Sequence, residues 1–306
     1  MEFFQAIANM SGASLAQHLV NGVSLGSLYA LIAIGYTMVY GILLMINFAH
    51  GDIVMMACYF AFFGITVFHI PWYITFVGVI IATAILGVVI ERTAYRPLRD
   101  APKNSVLISA IGASFLLENL ANYLFSGRPM RFPEIELLSQ NISVGGVQIQ
   151  AICLVIPVIT IISLVVLLHI VNHTKTGMAM RAVSKDYEIA RVMGVDIDKI
   201  ISITFIIGSS LAAIGAIMWG IRYPGITPMM GVMPGLKCFI AAVIGGIGNI
   251  KGAVLGGFIL GLGEILIVAF FPQLSGYRDA FAFIVLIIIL FYKPTGLLGE
   301  KTTEKV

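Results

Sequence analysis

Residues 149–171 read IQAICLVIPVITIISLVVLLHIV, residues 172–199 read NHTKTGMAMRAVSKDYEIARVMGVDIDK, and residues 200–221 read IISITFIIGSSLAAIGAIMWGI. Each outer run is long enough to cross a bilayer, whose hydrocarbon core of about 30 Å takes roughly 20 apolar residues of helix. The run between them is polar and charged throughout. An apolar run, a polar island and a second apolar run describe a chain that crosses a membrane, emerges and goes back.

The rest of the chain repeats that pattern. It is 59% hydrophobic and 11% charged with a mean hydropathy of +1.01, more apolar surface than a soluble fold of 306 residues can hide. In lipid every backbone amide must be satisfied within its own segment, so the expected fold class is all-α, a polytopic transmembrane helical bundle forming a single domain over 1–306. Apolar runs lie near 16–46, 51–69, 72–91, 104–126, 149–171, 200–221, 235–250, 252–272 and 280–292. The first is long and interrupted by glycine, the seventh is short and the ninth barely suffices, so about 8–10 spans are expected. Residues 1–14 lack a basic n-region and an apolar stretch leading to a small-residue cleavage site, so no removable signal peptide is expected. Cys58, Cys153 and Cys238 form no CxxC pair and read as small hydrophobes. The net charge of +3 is scattered and forms no nucleic-acid patch.

Basic residues orient the bundle, because short loops rich in Lys and Arg stay in the cytoplasm. Arg92, Arg96, Arg99 and Lys103 share one side with Lys175, Arg181, Lys185, Arg191, Lys199, Lys251, Lys293, Lys301 and Lys305. Only Arg128, Arg131, Arg222, Lys237 and Arg278 fall on the other. The island 172–199 and the C-terminus are therefore expected in the cytoplasm, and the N-terminus outside. The external segment 127–150 opens with Pro129 and Pro133, then alternates about Gly145-Gly146, which reads as a small β-hairpin. It is either a docking surface for an external partner or a linker.

Glycine marks two breaks. Gly245-Gly246-Ile247-Gly248-Asn249 is too rich in glycine for an unbroken helix, whereas Gly252-x-x-x-Gly256 and Gly257-x-x-x-Gly261 read as helix-packing motifs. The polar cluster Ile46-Asn47-Phe48-Ala49-His50-Gly51-Asp52 makes the other break; Asn47 and His50 read foremost as helix caps or a short cytoplasmic turn, with substrate binding as the alternative. One glycine-rich break in each half is what an inverted repeat would produce. Substrate-pathway candidates are accordingly Asn47, His50, Gly51, Gly245, Gly246, Gly248 and Asn249. Glu118 and Glu264 lie within spans, and a hydrogen bond to a neighbouring helix is the favoured reading of each. No nucleophile-base pair, HExxH or P-loop is present, so neither catalysis nor a cofactor, metal or ATP site is expected on this chain.

Within the island, Glu188-x-Ala190-x-x-x-Gly194 resembles the loop by which membrane subunits of ABC importers dock on their ATPases. The expected coupling residues are Asp186, Glu188, Ala190, Arg191 and Gly194, on a short helix that Gly194 ends in a conformation a side chain would oppose. Further stretches extend the resemblance: ALIAIGYTMVYG at 30–41, INFAHG at 46–51, ERTAYRPLR at 91–99, TGMAMRA at 176–182 and AAVIGGIG at 241–248. These look like the LivH-type permeases of branched-chain amino acid ABC importers, through nearly the whole chain and in order. The resemblance implies half of a pathway for leucine, isoleucine and valine in the bacterial inner membrane. It also implies a LivM-type second permease, two ATPases carrying ATP and magnesium, and an extracytoplasmic binding protein. Permeases for urea, short-chain amides or other amino acids resemble the same family. An ion-coupled secondary transporter would have to rely on Glu118, Glu264 and His50.

Overall fold

The computed structural model describes residues 12–99, 101–144 and 147–299. In chain order these form α1 (Gly12–Leu43), α2 (His50–Thr66), α3 (Trp72–Ile90, prolonged by tighter and wider turns to Leu98) and α4 (Lys103–Phe125). The connecting segment holds β1 (Met130–Arg131), α5 (Glu136–Ser139), β2 (Asn141–Val144) and β3 (Val147–Gln150). Then come α6 (Ala151–His173), α7 (Lys175–Lys185), α8 (Tyr187–Val192), α9 (Ile197–Arg222), β4 (Gly225–Ile226), α10 (Val232–Gly245), α11 (Ile250–Phe270) and α12 (Arg278–Tyr292).

Among the described residues, 7 helical segments are long and apolar enough to cross a membrane: α1, α3, α4, α6, α9, α11 and the stretch Pro272–Tyr292. The runs at 51–69 and 235–250 depart from the expectation of full spans. Their helices, α2 and α10, have 17 and 14 residues, hence lengths of about 26 and 21 Å against a core of about 30 Å. Both are shorter than the seven candidate spans, and their N-terminal ends meet. A Cβ on Gly51 would stand 2.4 Å from the Gly231 carbonyl oxygen, and one on Gly231 would stand 2.1 Å from that of Gly51.

α1 and α9 run antiparallel. Arg222 Nη2 donates to Asn21 Oδ1 at 3.2 Å at one end, and at the other the Tyr187 hydroxyl, just ahead of α9, donates to the Ile42 carbonyl. Midway, Gly35 and Gly208 let the backbones touch, with a Cβ on Gly35 falling 2.7 Å from the Gly208 carbonyl. The other helices follow the same exchange: α1 packs on α11 as α9 packs on α3, and α1 touches α10 as α9 touches α2. Likewise α2 lies on α3 and α4 as α10 lies on α11 and α12. The units α1–α4 and α9–α12 are thus an inverted repeat about an axis near Gly35 and Gly208. Sequence identity between the halves is faint, and the two glycine breaks do not correspond: residues 46–52 precede α2, whereas Gly245–Asn249 follows α10, the counterpart of α2.

Glycine also sets the closest helix pair. Cβ atoms added at Gly257 and Gly261 of α11 would lie 2.5 Å from Ala30 N and 2.2 Å from Gly26 N of α1. Gly261→Leu must push backbone from backbone, and overpacking of a filled core costs ~1–3 kcal/mol even where side chains can yield. The expected outcome is loss of the monodisperse peak in detergent gel filtration. Gly78→Leu, at a position with no atom within 4 Å, should leave that peak unchanged.

On the connecting segment, β2 and β3 pair antiparallel from Asn141↔Gln150 to Val144↔Val147; their Gly145-Gly146 turn lies outside the described residues. β1 pairs with β4 through Met130↔Ile226, tying the segment to the chain between α9 and α10.

Candidate functional site

Where the N-terminal ends of α2 and α10 meet, a cavity of about 210 Å³ opens against α4. Its apolar wall comes from Phe48, Ile111, Phe115, Leu236 and Phe239. Its polar wall is Tyr36 on α1, Asn47 and Asp52 at the start of α2, and Ser114 and Glu118 on α4. Gly51, Gly231 and Gly235 keep side chains out of the seam between the two helix ends. Helix N-termini carry partial positive charge, and broken helices are a recurrent way for transporters to bring backbone dipoles to the membrane interior.

The local bonding explains how these groups are held. Asn47 Oδ1 accepts from the Tyr95 hydroxyl at 2.9 Å, which leaves its amide nitrogen free of any partner among the described residues. The Tyr36 hydroxyl, likewise buried, finds no acceptor among the described residues. Asp52 accepts from Ser114 Oγ. His50 turns away from the cavity: its Nε2 donates to the Ile32 carbonyl at 3.2 Å, and Tyr36 meets the imidazole edge-on.

The cap half of the cap-or-turn reading of Asn47 and His50 is therefore corrected; a turn does run from Asn47 to His50, whose amide donates to the Asn47 carbonyl at 3.2 Å, but it is buried. α2 begins after Ala49 with no side-chain cap, both residues are buried, and both are bonded across the fold. The second break also differs from its expected surroundings. α10 stops at Gly245, and Gly246 and Gly248 adopt φ of +107° and +90° before Asn249 caps α11 through the Gly252 amide. None of Gly245, Gly246, Gly248 and Asn249 lines the cavity. The chain after α12 covers them instead: Leu297 and Leu298 amides donate to the Ile244 and Gly245 carbonyls, and Asn249 Nδ2 donates to Leu298. Of the pathway candidates, Asn47 and Gly51 reach the cavity, while Asp52, Ser114 and Tyr36 were not among them. A carboxylate directly after the Gly51 break was the available signal for Asp52.

Glu118 and Glu264 part company. Glu264 accepts from Tyr29 Oη at 3.1 Å and pairs with Lys237 Nζ at 2.9 Å and Arg278 Nε at 2.8 Å, joining α1, α10 and α12 as a structural group. Glu118 departs from the same expectation: it has no hydrogen bond or ion pair to a described residue and borders the cavity. Near the other end of the bundle Arg96 and Arg99 both pair with Asp198, and Arg99 also holds the buried Glu91, fixing the end of α3 to the start of α9.

At that end sits α8. Asp186 Oδ1 accepts from the Glu188 and Ile189 amides at 2.9 and 3.0 Å, an N-cap that starts the helix, and Gly194 at φ +84° lets the chain turn after it. Ala190 faces inward and is buried, whereas Ile189, Val192 and Met193 are 60%, 87% and 77% exposed. Tyr187 anchors the helix to α1, and burial keeps its phenol above the usual tyrosine range, so it remains the donor to Ile42. The result is a rigid, capped turn of helix that shows three apolar side chains to its surroundings.

Residues 18–290 match the family described as the permease component of branched-chain amino acid transport systems. The high-affinity branched-chain amino acid permease protein LivH of Salmonella typhimurium is 40% identical over 95% of this chain and 97% of its own. BraD of Pseudomonas aeruginosa, which bears the same description, is 41% identical over the same shares. A probable LivH from Methanocaldococcus jannaschii is 25% identical over 92% of this chain and 91% of its own.

Proposed function

Because the chain belongs to the permease components of branched-chain amino acid transport systems, we propose that it forms one half of a path for leucine, isoleucine and valine, driven by ATPases that grip α8. It is a permease subunit of an ABC transport system in a cell membrane. In this reading a LivM-type permease faces it across the path, two ATPases bind below and hold the ATP and magnesium, and a binding protein delivers substrate from outside. The end bearing α8 and the C-terminus is cytoplasmic, the N-terminus is external, and the membrane is the bacterial inner membrane.

The observation that carries the reading is the exposed apolar face of Ile189, Val192 and Met193 on a helix capped at both ends. An unpartnered face of this kind, held rigid on the side expected in the cytoplasm, suits a cleft on a soluble partner better than lipid or water. An ion-coupled mechanism has less support. It needs a chain of titratable groups, yet Glu264 is held by Lys237 and Arg278 and His50 is bonded within the fold, which leaves Glu118 alone of its three candidates at the cavity.

Affinity purification of the tagged chain from native membranes tests the assembly. The expected result is a second permease with two ATPases; a chain that purifies alone and still transports after reconstitution would overturn it. A subtler variant probes the cap. A β-branched residue in the left-handed region is strained by ~1–3 kcal/mol, so Gly194→Val, with open space around it, should weaken ATPase capture about tenfold. Capture would be read by titrating ATPase onto immobilised permease.

A further inference from the structure

The cavity between the half-helices holds a combination that packing alone does not explain. Asp52 and Glu118 bring two carboxylates into it, and among the described residues no Lys or Arg lines it. A carboxylate within the hydrocarbon layer is costly unless a cation or donors meet it, and a single bond from Ser114 is all that Asp52 receives from another described side chain. Close by, two donors lack acceptors among the described residues: the amide nitrogen of Asn47, 1% exposed, and the hydroxyl of Tyr36, 3% exposed. Buried unpaired donors are rare and call for a partner. The N-terminal ends of α2, whose first turn carries Asp52, and of α10 add partial positive charge at the cavity. The apolar residues Phe115, Leu236 and Phe239 line the same cavity.

We propose that this cavity is a substrate station that reads the zwitterion of an aliphatic amino acid. Asp52 and Glu118 take the ammonium group, Tyr36 and Asn47 donate to the carboxylate, and Phe115 and Phe239 receive the branched side chain. The assignment rests on the transport reading above, and it adds that the permease itself, beyond any binding protein, recognises its cargo. An amine without a carboxylate would leave both donors unpaired. An acid without an ammonium would set three carboxylates together. Each is disfavoured by its own half of the site, so recognition needs both charges.

The test uses the assembled complex of both permeases and both ATPases, without binding protein, and a diazirine analogue of leucine as the probe. Labelling is mapped by mass spectrometry in the nucleotide-free and vanadate-trapped states. Expected are adducts on α4 around Phe115 and on α10 around Leu236–Phe239, suppressed by leucine but at least about tenfold less well by 3-methylbutylamine or 4-methylpentanoate. Asp52→Asn and the more exposed Glu118→Gln should each lower labelling about tenfold, while Asp52→Glu retains it, which a merely structural role for the carboxylate would not predict. A complex that takes up leucine when coupled yet labels neither helix in either state would overturn the station and leave the transport function standing. Competition by the amine or the acid as strong as by leucine would overturn the zwitterion reading. Failure of the wild-type complex to transport leucine at all would count against the transport function instead.

Discussion

A permease in which Val192 and Met193 are both replaced by aspartate is expected to fold, insert and lose its ATPases. The two side chains are 87% and 77% exposed, so little within the chain depends on them. In a partner's cleft the same positions become buried apolar anchors, and truncating an anchor of that kind costs ~2 kcal/mol or more. Two together lower affinity by about a thousandfold, before the added cost of burying charge. Leucine uptake should fall to background while the melting temperature of the purified permease stays within a few degrees of wild type. Removing Tyr187 to Val195 outright should have the same effect on capture. Undiminished capture of ATPases by the aspartate variant would remove α8 as the docking element.

The second large effect is expected at Gly51. Its Cβ would have to share space with the Gly231 carbonyl at 2.4 Å and with Gly235 Cα at 3.1 Å, and both neighbours are backbone that no rotamer change can move. Gly51→Val should therefore force the N-terminal ends of α2 and α10 apart and abolish transport, with a loss of well over tenfold from displacement of about an ångström at a positioned site. α8 lies at the end of the bundle, anchored by Tyr187 to Ile42, so ATPase capture should survive. The matched control is Gly78→Val on α3, where nothing lies within 4 Å. Equal uptake by the two variants would mean that the meeting of α2 and α10 serves packing and not passage.

Much of this fold was readable because hydropathy reports membrane crossing directly. The run at 149–171 became α6 and that at 200–221 became α9 within a few residues, since about twenty apolar residues in lipid have few other solutions. The island was readable for a local reason too: Asp186 as cap and Gly194 as terminator act on neighbours in sequence. The course of the shorter runs was hidden. Nothing in residues 51–69 or 235–250 states that their helices meet at their N-terminal ends, because that depends on Gly51 finding Gly231 some 180 positions away. The polar residues of the first break were misread for the same reason. Asn47 looks like a cap by type, yet its partner is Tyr95 on another helix. Gly245–Asn249 was legible as a break but not in its surroundings, because the tail that folds over it comes from the far end of the chain.

Uptake of labelled leucine into proteoliposomes holding this chain with its paired permease and ATPases addresses the central claim most directly. The account predicts accumulation only when ATP and the binding protein are both supplied, on their respective faces of the membrane, and none from a proton gradient alone. Gradient-driven uptake without ATP, or ATP-driven uptake of urea with leucine excluded, would contradict it.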